Sequence, residues 1–171
     1  MTTNERRNKI RERLESELQA VSASALAAEF SVSRQIIVGD IAILRSSGLE
    51  IDATPRGYLI HREKKGITKK IVCKHTTVED MAVELNTAVD YGCSVLDVIV
   101  DHPIYGSVRA DLHIESRYDV ELFMDKIISD KVTPLSTLTG GIHIHTLVCD
   151  SLEGYDRMVE KLKKAGIISD C

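Results

Sequence analysis

His143 and His145 stand two residues apart in GGIHIHTLVC, a β-branched run with the grammar of a strand. Side chains two apart on a strand share a face, so both imidazoles project from one side, about 7 Å apart along the backbone, and can converge on one ion. Ile142, Ile144, Thr146 and Val148 take the other side, so one side is core and the other is chemistry or solvent. His75 follows a short apolar run, and Glu84 sits at the margin of the stripe Met81, Leu85, Ala88. Three imidazoles and a carboxylate suit zinc, nickel or ferrous iron. A lone histidine on a sheet rim is an ordinary packed or solvated side chain; the pair is what points to a metal.

A second group is His102-Pro103-Ile104-Tyr105-Gly106, with Arg109 just beyond. Its plain reading is a hairpin loop, since Pro and Gly are turn residues. Its chemical reading is a site for a small aromatic acid, with a planar cation for a carboxylate, a ring to stack on and an imidazole donor.

These groups need a framework. Ile71–Lys74 predicts a strand, and Thr76-Thr77-Val78-Glu79 has the form of a capping box opening a helix to about Tyr91. Ser94–Asp101 and Val108–Ile114 predict a hairpin, Ser116 caps a helix to about Ser129, Ile142–Cys149 is a strand, and Ser151 opens a last helix that Gly166 ends. This order predicts a two-layer α/β sandwich built on a four-stranded, mainly antiparallel sheet over residues 69–171.

The first 63 residues read differently. Ile10, Leu14 and Leu18 recur every four residues, predicting a helix over about Asn4–Gln19. Ser22 or Ser24 caps a second helix with Leu26, Ala27 and Phe30 inward, and Ser33 caps a third in which Ile37, Ile41 and Leu44 share a face. Only Ser31 and Val32 separate the two, the spacing of a helix-turn-helix. Gly48 stops the third helix, and Leu49–Ile51 and Gly57–Ile60 flank DATPR as a two-stranded wing. The third helix turns Arg34, Gln35, Val38, Gly39, Ala42 and Arg45 away from its apolar stripe, a face suited to base edges in a major groove, with its N-cap Ser33 counted among the DNA-binding residues and the wing-tip Arg56 placed to meet a phosphate or the minor groove. A merely solvated helical hairpin would show the same pattern. The expected class is therefore α+β, a winged helix-turn-helix over 1–63 and a sandwich over 69–171, joined near residue 65 by the polar stretch HREKKGITKK.

Composition agrees with a folded protein of two small units: 171 residues, 43% hydrophobic and 28% charged. The net charge of −4 argues against coating nucleic acid over the whole surface. Residues 1–63 carry nine Lys/Arg against nine Asp/Glu and residues 64–171 thirteen against seventeen, so the acidity resides in the second unit and a local DNA footprint in the first is allowed. Cys73, Cys93, Cys149 and Cys171 lie far apart without metal-knuckle or redox spacing, and are expected to be buried thiols rather than bridges. The start MTTNERRNKI lacks the apolar stretch of a signal peptide and no apolar run approaches a membrane span, so the expected place is the cytoplasm and no membrane partner is expected.

The segments SRQIIVGDIAILRSSG, DVIVDHPIYGSVRADL and TLTGGIHIHT resemble the niacin-responsive repressors, the NiaR/YrxA family, over nearly the whole chain. The resemblance implies a winged helix-turn-helix followed by a three-histidine domain. It also implies repression of niacin salvage or NAD synthesis genes, nicotinic acid as co-repressor, a homodimer on a palindromic double-stranded operator, and a divalent metal. Carried over, the ligands would be His75, Glu84, His143 and His145, with Glu79 the other carboxylate on that helix, and His102 would lie near the effector. Gly39 departs from the longer polar residue the resemblance leads one to expect. Two other readings of the same residues are a metal-dependent enzyme fused to a DNA-binding module, in which an open metal position activates water, and a regulator that senses the metal itself.

Overall fold

A computed structural model describes residues 1–61 and 65–168. Part of the expected linker, and Cys171, lie outside the described residues. The chain divides into two compact units, Met1–Glu63 and Lys64–Cys171.

The first unit is three helices and a wing. Helix α1 (Thr3–Ser16) opens on a capping box between Thr2 and Glu5 and buries Ile10 and Leu14. It ends earlier than expected: Glu17 is extended, so Leu18 leaves the stripe and stands 78% exposed. Ser22 caps α2 (Ala23–Glu29) and Ser33 caps α3 (Arg34–Ser46), each accepting a backbone N–H from three residues on. Ser31 turns the chain between them at φ +53°, a left-handed conformation rare outside glycine. Ile37, Ile41 and Leu44 of α3 meet Ile10, Leu14 and Leu26 in one core. Strands β1 (Ile51–Thr54) and β2 (Gly57–Ile60) pair antiparallel as the wing. Its turn is tighter than DATPR suggested, because the Thr54 hydroxyl accepts the N–H of Arg56 and of Gly57 and leaves only Pro55 and Arg56 outside the ladder.

The second unit is the expected sandwich, with strands β3 (Ile67–Lys74), β4 (Cys93–His102), β5 (Gly106–Ile114) and β6 (Ile142–Cys149) in the order β3-β6-β4-β5, every pairing antiparallel. Helices α4 (Val78–Asp90), α5 (Arg117–Ser129) and α6 (Leu152–Lys164) bury Met81, Leu85, Val120, Met124, Met158 and Leu162 in the core that the inward residues of the strands also fill. Boundaries differ from expectation in places, with β5 beginning at Gly106 rather than Val108. Strand β3 begins at Ile67 rather than Ile71, because pairing with Thr146, Leu147 and Val148 draws Thr68, Lys69 and Lys70 into the sheet. Thr77, not Thr76, caps α4 and exchanges hydrogen bonds with Asp80. A short 3₁₀ turn, Leu135–Thr139, was not foreseen.

The expectation of unbridged cysteines is corrected at one pair. Cys93 and Cys149 are direct cross-strand partners on β4 and β6 with Cα atoms 4.0 Å apart, and they form a disulfide. Their 56-residue separation hides this, since only the strand order makes them neighbours. Cys73 is a free, buried thiol.

Candidate metal centre and DNA-reading face

Strand β6 is interior to the sheet, between β3 and β4, and the side it turns to the helices carries His143, His145, Leu147 and Cys149. The histidine side is thus the core side, not the solvent side: His143 and His145 are 3% and 4% exposed, whereas Ile142 is 48% exposed on the opposite face. His75, just past the end of β3, is buried beside them, with ring centroids 4.8 Å apart from His75 to His143 and from His143 to His145.

All three imidazoles aim Nε2 at Glu84. The Nε2 of His75 lies 2.5 Å and that of His143 3.2 Å from Glu84 Oε2, and His145 Nε2 is 3.3 Å from Oε1. Glu84 is 1% exposed on the inner face of α4, whereas Glu79 is exposed, so only Glu84 faces the histidines.

The tautomers follow from the outer nitrogens. His143 Nδ1–H donates to the Gly141 carbonyl at 2.8 Å and His145 Nδ1–H to the Asp97 carbonyl at 2.5 Å; a carbonyl can only accept. In neutral imidazoles both Nε2 atoms are then bare lone pairs facing a carboxylate, an arrangement that requires positive charge between them. Burial works to raise the Glu84 carboxyl, but the charge of His145 and hydrogen bonds from His143, His145 and His75 outweigh it and hold it well below its ordinary value. Burial likewise works to lower His145, yet Glu84 and the Asp97 carbonyl raise it. The pocket favours a cation, whether proton or metal. Glu84 Oε1 is buried with His145 Nε2 3.3 Å away, a long contact that leaves this oxygen weakly satisfied. Donors about 2.0–2.2 Å from one ion stand about 3 Å or slightly more from each other; the 3.2 and 3.3 Å contacts of His143 and His145 with Glu84 are of that size, His75 at 2.5 Å is in direct hydrogen-bond contact with it, and the donor types suit a transition metal.

Two contributors were not foreseen. Gly141 adopts φ +92° where a Cβ would lie 2.3 Å from the His75 carbonyl oxygen, and its own carbonyl accepts both His143 Nδ1–H and the His75 N–H. Asp97, buried beside a pairing irregularity in β4, fixes His145 through its carbonyl and accepts the Thr146 N–H on its carboxylate. GGIHIHT had marked the place of the glycine without its role; Asp97 had no local signal, because the register between β4 and β6 creates the contact.

Against this cluster lies a cavity of about 190 Å³, walled by Val98, Ala110, Leu112, Phe123, Ile127 and Leu135, with Ser136, Glu84 and the three histidines at its polar end. The expected effector residues are not brought to it. Residues alternate along β5, so Arg109 lies on the face opposite Ala110 and Leu112, bound to Asp97 at 2.8 Å and Asp111 at 3.3 Å. His102 and Tyr105 pack on each other at the β4–β5 turn, their ring centroids 4.9 Å apart, with Tyr105 77% exposed.

In the first unit Arg34, Gln35, Val38 and Gly39 are exposed on α3, joined by Ile36 and Ile43, at 43% and 47% exposure. Arg45 is committed to the wing: its Nε donates to the Ile51 carbonyl at 2.9 Å and its guanidinium stands 6.0 Å from the Tyr58 ring centroid. Arg56 is exposed at the wing turn, and Ser33 serves as N-cap through Ile36 N–H. Asp40 points inward and ties α3 to α1 through Arg6 at 2.6 Å and Arg7 at 2.9 Å. Burial works to raise Asp40, but the two guanidiniums outweigh it and lower its pKa.

Comparison with known proteins covers both units. A family model described as an HTH domain matches residues 6–59, and one described as a 3H domain matches residues 68–170. The chain is 42% identical over 155 residues to "Probable transcription repressor NiaR" of Thermotoga maritima, an alignment covering 91% of this chain and 88% of that protein. It is 36% identical over 155 residues to "Transcription repressor NadR" of Bacillus subtilis, covering 86% of this chain and 84% of that protein.

Proposed function

This chain belongs to the NiaR/NadR family of transcription repressors, which join a helix-turn-helix to a 3H domain, and from that membership we propose that it represses niacin salvage or NAD synthesis genes with nicotinic acid as co-repressor. It is a DNA-binding regulator rather than an enzyme, as its family is. The observation that carries the finer reading is three imidazole nitrogens and one buried carboxylate converging at the polar end of an apolar cavity.

His75, Glu84, His143 and His145 would hold a divalent metal, nickel, zinc or iron. Bound there, the ion supplies a Lewis-acidic position for a carboxylate oxygen or a pyridine nitrogen. The protein supplies the rest. The Gly141 and Asp97 carbonyls orient His143 and His145, and Val98, Leu112 and Phe123 contact an aromatic ring and exclude water. No Lys or Arg lines the cavity among the described residues, so the charge of an acid held there would be balanced by the cation that His75, Glu84, His143 and His145 would hold. This takes over the part that sequence spacing had given to Arg109.

On DNA, a homodimer would present two copies of α3 about one helical turn apart and read a palindrome. Gln35 and Arg34 offer forked groups to base edges, Val38 and Ile36 offer apolar contact to thymine methyls, and Arg56 reaches the backbone or minor groove from the wing. No helix among the described residues is long and apolar enough to cross a membrane, and the proposed work is cytoplasmic, where the DNA is.

Titration of an operator duplex, selected by the protein from a random pool, tests the reading. With metal present, nicotinic acid should tighten operator binding; equal affinities with and without it would reject the co-repressor. Tightening by metal alone, with nicotinic acid inert, would make the ion itself the signal.

A further inference from the structure

Cys73 is outside the four-residue ligand set, yet the sheet delivers it to the same place. It pairs in register with His143 across β3 and β6, and alternation along β3 turns it inward with Ile71. It is fully buried and is the free cysteine among the described residues. Its Sγ, a carboxylate oxygen of Glu84 and a ring nitrogen of His143 all lie within 4.8 Å of one another. A second observation points the same way: Glu84 Oε1, buried within this group, is met at 3.3 Å by His145 Nε2 without a well-formed hydrogen bond. A buried carboxylate oxygen so weakly satisfied, beside a sulfur and an imidazole nitrogen, has the composition of a site for a late first-row cation.

Resting on the metal reading above, we infer that the Cys73 thiolate is a further ligand of that same ion, which makes the centre a mixed sulfur, nitrogen and oxygen site. On binding, the S–H bond breaks, a sulfur–metal bond forms and the proton passes to solvent; no oxidant or reductant is involved. A thiolate tilts selectivity away from magnesium, calcium and manganese and toward zinc, nickel and cobalt.

Cobalt(II) is the probe, with metal stoichiometry and the absorption spectrum read on the same sample of the full chain. The wild type should take up one equivalent and show a near-ultraviolet thiolate-to-cobalt charge-transfer band. Cys73→Ser should lose that band while keeping cobalt and its visible ligand-field bands, and Cys73→Ala should match it if serine upsets the buried position. Cobalt bound in one equivalent without the band, or with the band intact in both variants, overturns the role of Cys73 and leaves the metal reading standing. A wild type that takes up no cobalt overturns both. The wild-type spectrum carries the test even if both variants fail to fold.

Discussion

Gly141 carries no side chain, yet two of the clustered histidines depend on it. Its carbonyl holds His143, its conformation is one that other residues adopt at a cost of about 1–2 kcal/mol, and a Cβ would strike the His75 carbonyl. Gly141→Ala should therefore weaken metal binding about 10- to 100-fold, the usual penalty for disturbing the groups that orient a ligand, as read by chelator competition; an unchanged affinity would deny it that role. Arg109 offers the converse case. Bound to Asp97 and Asp111 on the opposite face of the sheet, it should tolerate Arg109→Ala with less than about a tenfold change in nicotinate affinity. Ala110→Phe, which fills the cavity, should abolish nicotinate binding and leave metal content intact. A calorimetric titration of the two variants compares them directly. The histidine pair was legible in the sequence because a period of two is local. The choice of Glu84 over Glu79, the participation of Asp97 and the exclusion of Arg109 were not, because each depends on which face of which strand meets α4 or β6.

At the scale of elements, nearly every helix and strand was legible from caps and periodicity, and the errors fell where a neighbour decides the boundary. β3 is lengthened by its pairing with β6, and the Cys93–Cys149 bridge exists because β6 lies between β3 and β4. In the first unit the interior partner Asp40 was overlooked because, read alone, α3 showed only its apolar stripe and its exposed face. The carboxylate is held below its ordinary value by Arg6 and Arg7, so its stabilising contribution is fully present above the unfolded carboxyl pKa of about 3.9 and is lost as pH falls below that. Asp40→Asn should accordingly melt at a lower temperature than wild type at pH 7, with the gap narrowing as pH falls below about 3.9. A constant gap between them would show that the ion pairs do not stabilise the unit. On the outer face of α3, Gln35→Ala should cost about 1–3 kcal/mol on the preferred sequence and little on others, whereas Arg56→Ala should weaken all duplexes alike and reduce the salt slope by about 1. Operator titrations at two salt concentrations separate these outcomes.

For the whole molecule, the proposal is that a ligand held in a cavity of one unit governs DNA binding by the other. Linkage sets the terms: if nicotinic acid tightens operator binding by some factor, operator DNA tightens nicotinate binding by the same factor, typically about 5- to 150-fold for coupled sites. Such coupling presupposes that the acid binds where the histidines converge, and that it binds through an ion. The most direct measurement is a metal analysis paired with a calorimetric nicotinate titration of the wild type, the chelator-treated wild type and His143→Ala. One divalent ion per chain and nicotinate binding in the untreated wild type, with both lost in the other two samples, is the predicted result. Undiminished nicotinate binding after the ion is stripped, or an ion kept in full by His143→Ala, would contradict it.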